Sequence, residues 1–164
     1  GQRVDTVVDL STVGIANAKR IASLLSRHGV DYVDSPVSGG ALGAAVGTVS
    51  IMVAPPPPLY GRLRPLLESM GRCFHVGEHV GQGQAMKLAN NALSGVAMAA
   101  TAEAVTFGTA HGLDPSVMIE VLNVSSGQNT AVSDKWPRRI LTESYDAGFT
   151  NSLLAKDLKL YVDE

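Results

Sequence analysis

The first half of the chain alternates short apolar runs with stretches of helical periodicity. The apolar runs predict strands over residues 6–12, 30–37, 48–54 and 73–77. Between them, apolar residues at helical spacing, with Ile21, Leu24 and Leu25 on one face, predict helices over 15–28 and 59–70. Strands that alternate with helices are typical of βαβ units around a largely parallel sheet. Residues 1–82 are therefore predicted to form an α/β domain.

After Gly83 the pattern becomes helical throughout. Residues 84–110 contain no proline, abundant alanine and only Lys87 and Glu103 as charged side chains, which predicts one helix of about 40 Å at 1.5 Å per residue. A further helix is expected from Pro115 and a last one over 150–162, while residues 125–149 are expected to be mostly loop. Residues 83–164 are therefore predicted to form an all-helical domain.

The long predicted helix is apolar enough to be compared with a membrane span. Lys87, Asn90, Asn91 and Glu103 interrupt its apolar run, and the hydrocarbon core of a bilayer penalises each of these side chains strongly. We therefore expect no membrane partner and interpret the segment as the central helix of a soluble helical domain.

Charge and cysteine content narrow the possible partners and sites. The 13 Lys and Arg residues are balanced by 15 Asp and Glu residues without a block of one sign, whereas a nucleic-acid surface needs clustered basic charge. The single cysteine, Cys73, excludes an internal disulfide and is expected to be a buried thiol. His75 and His79 lie in a predicted strand and turn, where their spacing does not bring the rings together. We therefore predict neither a nucleic-acid partner nor a metal site.

The two ends of the chain indicate a piece of a longer protein. Residues 1–5 lack the basic segment and apolar run of a signal peptide, a strand pattern is already under way at Val4, and a helical pattern is still running at Glu164. A targeting segment would lie in the missing N-terminal part, so localisation is left unassigned, with the cytoplasm favoured.

A Ser-Gly-Gly sequence follows one of the predicted strands. In open α/β sheets, ligands bind beyond the carboxyl ends of the strands, and Ser38, Gly39 and Gly40 stand at such an end. A hydroxyl and exposed backbone amides can hold a carboxylate or a phosphate there. The alternative is an ordinary turn without a ligand.

A lysine and an asparagine share one face of the long predicted helix. Lys87 and Asn91 are four residues apart, so their side chains can reach the same small molecule. A lysine on an apolar face is partly desolvated, which lowers its pKa and makes it suitable as a general acid and base. The alternative is a lysine near a helix start that extends its ammonium group to water.

Two further features are weaker on their own. The four prolines at 55–58 favour a rigid loop from a strand to a helix, with a partner-binding proline motif as the alternative. Lys156 and Asp157 in the last predicted helix are expected to be a solvated pair.

Taken together, motifs along nearly the whole chain resemble the β-hydroxyacid dehydrogenase family, whose members include 3-hydroxyisobutyrate dehydrogenase and tartronate semialdehyde reductase. The motifs stand in family order and at family-like spacing: VDLST (8–12), DSPVSGGALGAAVGT (34–48), GQGQAMKLANN (81–91), GLDP (112–115), LNVSSG (122–127) and AKDL (155–158).

The resemblance implies a fold of two parts. Residues 1–82 would be the C-terminal part of a Rossmann-type nucleotide-binding domain, similar to that of 6-phosphogluconate dehydrogenase. Residues 83–164 would be part of an all-helical domain opened by one long helix. The family forms oligomers through its helical domain, so the resemblance also implies a homo-oligomer.

The resemblance further implies an oxidoreductase that transfers a hydride between NAD or NADP and a short 3-hydroxy acid or its semialdehyde. Lys87 would then be the general acid/base, and Asn91 the amide that orients the substrate. Ser38, Gly39 and Gly40 match the segment that holds the substrate carboxylate. Thr12 and Lys156 match positions that contact the nicotinamide cofactor.

The chain departs from the family pattern at three points. Residues 55–58 are prolines where the family usually has a turn that contains Gly and Asp, and the sequence ends before the family's last helices. The G-x-G-x-x-G turn and the residue that selects NAD or NADP are not in this sequence, so we expect the 164 residues alone to be inactive. Two alternatives are a noncatalytic dimerisation or scaffold module derived from the same family, and an unrelated soluble domain. The retained pair of Lys87 and Asn91 favours the enzyme, since a scaffold has no use for it.

Overall fold

The computed structural model describes residues 4–164, which divide into two units. The first unit comprises the chain through Asn90 together with Ala155–Glu164, and the second is Asn91–Leu154. The last helix therefore belongs with the α/β part of the chain. The predicted domain division after residue 82 stays a prediction.

In its described part, the first unit alternates strands and helices as the apolar runs predicted. Its strands are β1 (Thr6–Asp9), β2 (Asp31–Asp34), β3 (Val37–Ser38), β4 (Val49–Val53) and β5 (Gly71–His75). Its helices are α1 (Ile15–Ser26), α2 (Gly40–Ala45), α3 (Pro57–Glu68), the first turns of α4 (Gln82–Ala110) and most of α6 (Asn151–Asp163). The α/β class predicted from the sequence is thus confirmed.

Parallel pairing predominates among these strands. β1 pairs in parallel with β2, with Asp9 opposite Asp34, and β4 pairs in parallel with β5. β3 runs antiparallel to β4. The predicted strand over 30–37 is therefore two strands, because Pro36 has no N–H for a ladder. The carbonyl oxygen of Pro36 still accepts a hydrogen bond from Met52 N at 3.0 Å.

The core of the first unit lies between the strands and α3. Its buried members are the branched apolar residues of the strands and one helix residue: Val33, Val49, Ile51, Val53 and Leu67. The prolines at 55–58 form the entry to α3, since Pro56 is extended, with φ −53° and ψ 149°, and the helix begins at Pro57. This geometry agrees with a rigid connection between strand and helix.

The second unit contains the rest of α4, helix α5 (Pro115–Asn123) and a π-helical segment, Ala131–Ile140. Helix α4 has 29 residues and confirms the predicted long helix. Asp114 caps α5, because its carboxylate accepts hydrogen bonds from Ser116 N and Val117 N. None of the helices in residues 4–164 combines the length and the apolar character that a membrane crossing requires.

The prediction that residues 125–149 are mostly loop leaves out this π-helical segment, whereas most of the other residues in the range lie outside helices and strands. Val132, Trp136 and Leu141 contribute to the core of the second unit, and Leu141 N donates to Trp136 O at 2.9 Å. Their spacings of four and five residues follow the wider turn of a π-helix, in which each N–H bonds five residues back. A search for the 3.6-residue period misses such a pattern, and Pro137 within it also argues against a helix.

Candidate active site

A buried aspartate at the end of β2 fixes where helix α4 begins. The carboxylate of Asp34 accepts hydrogen bonds from Gly81 N and Gln84 N, both at 2.9 Å, and the residue is fully buried. A carboxylate at this position satisfies N–H groups that have no partner in the helix and interacts favourably with the positive end of the helix dipole. The start of α4 is therefore fixed at the carboxyl end of the parallel strand pair.

Gly83 allows α4 to approach these strands closely. A Cβ at this position would lie 2.7 Å from the carbonyl oxygen of Met52 and 2.8 Å from that of Asp34. Both atoms belong to the backbone and cannot move aside easily. The glycine at this place in the GQGQ sequence is thus a steric requirement of the site.

Lys87 follows one turn into α4 with only 8% of its surface exposed. Burial lowers the pKa of the Lys87 ammonium group below its usual range, and the positive charge of Lys156 lowers it further, while the carboxylate of Asp157 opposes both. The extended, snorkelling lysine considered above does not fit this burial. Asn91, one turn further along α4, is also buried, with 6% exposed.

Thr12 and Lys156, far apart in sequence, meet in the first unit. Lys156 Nζ donates a hydrogen bond to the carbonyl oxygen of Thr12 at 2.7 Å and pairs with Asp157 Oδ1 at 2.9 Å. Thr12 lies in the loop that follows β1, and its side chain is half-buried. The pair of Lys156 and Asp157 was expected to be solvated, but the Asp157 residue is 2% exposed, so only the lysine reaches solvent.

Ser38, Gly39 and Gly40 form the turn from β3 into α2. Gly39 has φ 134° and Gly40 has φ 63°, backbone conformations that favour glycine. A Cβ on Gly39 would also lie 3.3 Å from Val49 Cα. The described contacts of this turn thus run to β4. Lys156, which binds Thr12, is by contrast close enough to Lys87 to lower its pKa.

Sequence reasoning missed Asp34, Gln84 and Asp157 as parts of this site. Each lies inside or next to a quoted motif, and all of them are buried polar residues, with Asp34 and Gln84 at 0% exposed. A polar residue in an apolar helix or at a strand end is a signal that was available for Gln84 and Asp34. The burial of Asp157 depends on where α6 packs, which the local sequence does not show.

The remaining candidates do not form a site. His75 Nε2 lies 2.7 Å from the carbonyl oxygen of Pro55, and its ring stacks on Tyr60 with centroids 4.5 Å apart. Cys73 is half-buried, and burial raises the pKa of its thiol, the opposite of an activated nucleophile. In residues 4–164, the structure places no three His, Cys, Asp or Glu side chains together as ligands for a metal ion.

Comparison with known protein families finds a matching family model for each part of the chain. Residues 2–78 match the model of the NAD binding domain of 6-phosphogluconate dehydrogenase. Residues 81–164 match the model described as NAD-binding of NADP-dependent 3-hydroxyisobutyrate dehydrogenase. Both models describe NAD-binding domains.

Individual relatives and solved structures agree with these models. The chain is 42% identical over 161 residues to 3-hydroxyisobutyrate dehydrogenase of Pseudomonas aeruginosa, covering 94% of this chain and 54% of that protein. It matches the structure of Mycobacterium tuberculosis 3-hydroxyisobutyrate dehydrogenase with L-serine, with a TM-score of 0.90, 32% identity, and coverage of 98% of this chain and 58% of the other. A structure of Psf3 in complex with NADP+ and 2-OPP matches with a TM-score of 0.85 and 31% identity, covering 98% and 56%.

The chain spans about half the length of the curated relatives it matches. Within that half, the match includes the α/β part, the long helix and the last helix, and it confirms a Rossmann-type part followed by a helical part. The strand-end aspartate, the glycine and the buried lysine described above all lie in the matched segments. The motifs, the fold and the comparisons therefore agree that this chain belongs to the β-hydroxyacid dehydrogenase family.

Proposed function

We propose that this chain is part of an NAD(P)-dependent dehydrogenase that oxidises a short 3-hydroxy acid, or reduces the corresponding semialdehyde, with Lys87 as general acid/base. The observation that carries this proposal is the buried Lys87 ammonium group, whose pKa burial lowers. A lysine that loses its proton closer to neutral pH can exchange it with a substrate hydroxyl. The family supplies the reaction class, and the side chain supplies the proton transfer.

Oxidation of the hydroxyl releases a proton and reduction of the carbonyl consumes one, so the reaction needs a group that exchanges a proton with the substrate oxygen. In the oxidation direction, neutral Lys87 Nζ takes the proton from the substrate hydroxyl, and in the reduction direction the ammonium form returns a proton to the forming alkoxide oxygen. NAD(P), when bound, supplies the hydride acceptor or donor. Asp157 and Lys156 act on this transfer through their charges, because they shift the pKa of Lys87 in opposite directions.

The residues around Thr12 fit a nicotinamide cofactor. Thr12 follows the carboxyl end of β1 in a parallel strand pair, the position at which α/β sheets bind dinucleotides. Its hydroxyl and the Lys156 ammonium group, 2.7 Å from the Thr12 carbonyl oxygen, are the kinds of polar group that hold an amide and ribose hydroxyls. We therefore assign Thr12 and Lys156 to the cofactor and leave the choice between NAD and NADP to measurement.

The substrate carboxylate is assigned to the turn at Ser38, Gly39 and Gly40. A hydroxyl and backbone amides without bulky side chains suit a carboxylate.

Asn91, on the same helix as Lys87, is assigned to the substrate as a hydrogen-bonding amide. A homo-oligomer is part of the proposal, with the helical part as its contact, and size-exclusion chromatography of the complete protein is expected to show more than a monomer.

The experiment that tests the function uses the complete natural protein. Reduction of NAD and of NADP is measured with a panel of 3-hydroxy acids, for the wild type, for Lys87→Ala and for Lys19→Ala, an exposed lysine of α1 that serves as the control. We expect Lys87→Ala to lower kcat by about 10²–10⁴-fold and Lys19→Ala to leave it unchanged. The 164-residue chain alone is expected to show no turnover.

The outcomes separate the enzyme from a scaffold. Equal turnover in Lys87→Ala and the wild type would remove Lys87 from the mechanism. No turnover with any substrate, from a folded protein that binds NAD(P), would favour a noncatalytic module derived from the same family.

A further inference from the structure

The loop between β1 and α1 is held by side chains from distant parts of the first unit. Gln84 Oε1 accepts hydrogen bonds from Val13 N at 3.0 Å and from Gly14 N at 3.2 Å. Gln84 Nε2 donates to the carbonyl oxygen of Ser11 at 2.9 Å. Thr12, between these residues, is bound through its carbonyl oxygen to Lys156. The conformation of residues 11–14 is therefore set largely from outside the loop.

Gln84 connects the loop after β1 to the end of β2 through hydrogen bonds. The residue is fully buried, so its side-chain amide depends on these backbone groups for its hydrogen bonds. Its own backbone N–H donates to Asp34 Oδ2 at 2.9 Å, which ties the same residue to the end of β2. One glutamine thus joins the loop after β1 to the first turn of α4.

The position of Gln84 on α4 relates this bridge to the chemistry. Lys87 lies three residues further along the helix, so the two side chains share a face of α4. A displacement of the loop relative to α4 would leave a buried amide and two backbone N–H groups without partners. The side chain of Gln84 therefore couples the loop that carries Thr12 to the helix that carries Lys87.

We propose that Gln84 is a positioning residue, which fixes the Thr12 loop against helix α4 so that the nicotinamide side of the cofactor and the Lys87 ammonium group keep a constant relation. The inference rests on the proposed function and adds to it a fully buried residue, which has no surface exposed to a ligand. The proposed role of Gln84 concerns the nicotinamide side of the cofactor, because the contacts of Gln84 run to β2 and to residues 11–14, which include Thr12.

The first test is structural and uses the complete protein without cofactor. Gln84→Met keeps the length of the side chain and removes its hydrogen bonds to the loop. Leu67→Ala is the matched control, because Leu67 is fully buried in the core of the same unit. Amide hydrogen exchange at Val13 and Gly14, relative to the β4 amides, is expected to become about tenfold faster or more in Gln84→Met. In Leu67→Ala this ratio is not expected to rise, because Leu67 packs on β4 and its loss speeds exchange of the reference amides rather than of the loop.

The second test separates positioning from stability. In Gln84→Met we expect kcat to fall by about tenfold or more and the primary deuterium isotope effect to rise, because hydride transfer becomes less well aligned. The Kd for ADP-ribose, the cofactor without its nicotinamide ring, is expected to stay unchanged. Leu67→Ala is expected to show neither kinetic change at a temperature where it is folded.

The two proposals fail in different ways. Wild-type protein without NAD(P)-dependent turnover would overturn the proposed function, and the inference about Gln84 with it. Active wild-type protein in which Gln84→Met matches Leu67→Ala in exchange, kcat and isotope effect would overturn the inference alone. A loss of ADP-ribose binding in Gln84→Met would also overturn it, since the effect would then not be confined to the nicotinamide side.

Discussion

Replacing Asp34 by asparagine should release the amino end of helix α4. The carboxylate accepts two hydrogen bonds of 2.9 Å, from Gly81 N and Gln84 N, inside the protein. An asparagine of nearly the same shape can accept only one of them and turns its own NH₂ group toward the other donor. A lost bond to a charged group, a buried N–H without a partner and a weaker remaining bond together lower the free energy of unfolding by about 2–4 kcal/mol.

The matched control for this change is Asp31→Asn on the same strand. Asp31 is exposed, so its replacement is expected to change the free energy of unfolding by less than about 0.5 kcal/mol. Urea denaturation of the complete protein, followed by far-UV circular dichroism, measures both variants. Hydrogen exchange at Gly81 and Gln84 shows which amide loses its partner. If Asp34→Asn costs no more than Asp31→Asn, the carboxylate does not hold the start of α4 and the reasoning is wrong.

The close approach at α4 and the start of the π-helical segment give two further predictions. Gly83→Ala is expected to lower the yield and melting temperature of the folded protein, because its Cβ would lie 2.7 Å from Met52 O. Gly61→Ala is the control, since Gly61 lies in α3 with open space around it. This change should be neutral or stabilise the fold by about 0.5–1 kcal/mol. Asn129→Ala should cost about 1–2 kcal/mol, because Asn129 Oδ1 accepts from two backbone N–H groups. Urea unfolding followed by Trp136 fluorescence reads this loss, and an unchanged midpoint would contradict it.

The elements that the sequence predicts well are those whose signals are local. Helix α4 is recognisable from its length, its alanines and the absence of proline, and the observed Gln82–Ala110 lies within two residues of the predicted bounds at each end. β4 likewise follows from one short apolar run. The π-helical segment could not be found in this way, because its apolar residues repeat at a wider spacing than the usual helical period.

The features of the candidate site also differ in how far local sequence patterns predict them. Lys87 and Asn91 stand out in the sequence because they are polar residues at helical spacing in an apolar helix. The hydrogen bond from Lys156 to Thr12 spans 144 residues and depends on the return of α6 to the first unit. Asp34 and Gln84 can be noticed as polar residues at a strand end and in an apolar helix, but the backbone groups of other segments that they bind cannot be read from the sequence. The polar residues of the candidate site are thus easier to recognise in the sequence than the contacts that position them.

The charges around Lys87 lead to a prediction about pH. In the proposed mechanism, Lys87 is neutral when it takes the hydroxyl proton in the oxidation direction, so kcat/KM should rise with pH as the ammonium group loses its proton. Because burial lowers the pKa of Lys87, this rise should occur below the pH at which an ordinary lysine titrates. The same shift means that the folded protein binds fewer protons than the unfolded chain in that window, so Lys87 makes folding more favourable as pH increases through it.

Two neighbouring substitutions should move this rise in opposite directions. The carboxylate of Asp157 raises the pKa of Lys87, so Asp157→Asn should shift the rise in kcat/KM to lower pH. The ammonium group of Lys156 lowers that pKa, so Lys156→Met should shift the rise to higher pH. Since Lys156 also binds the Thr12 carbonyl oxygen, its variant should raise the KM for the cofactor as well, which Asp157→Asn is not expected to do. Shifts of the same sign in both variants would show that these charges do not control the proton on Lys87, whereas opposite shifts would identify Lys87 as the group whose titration limits the reaction.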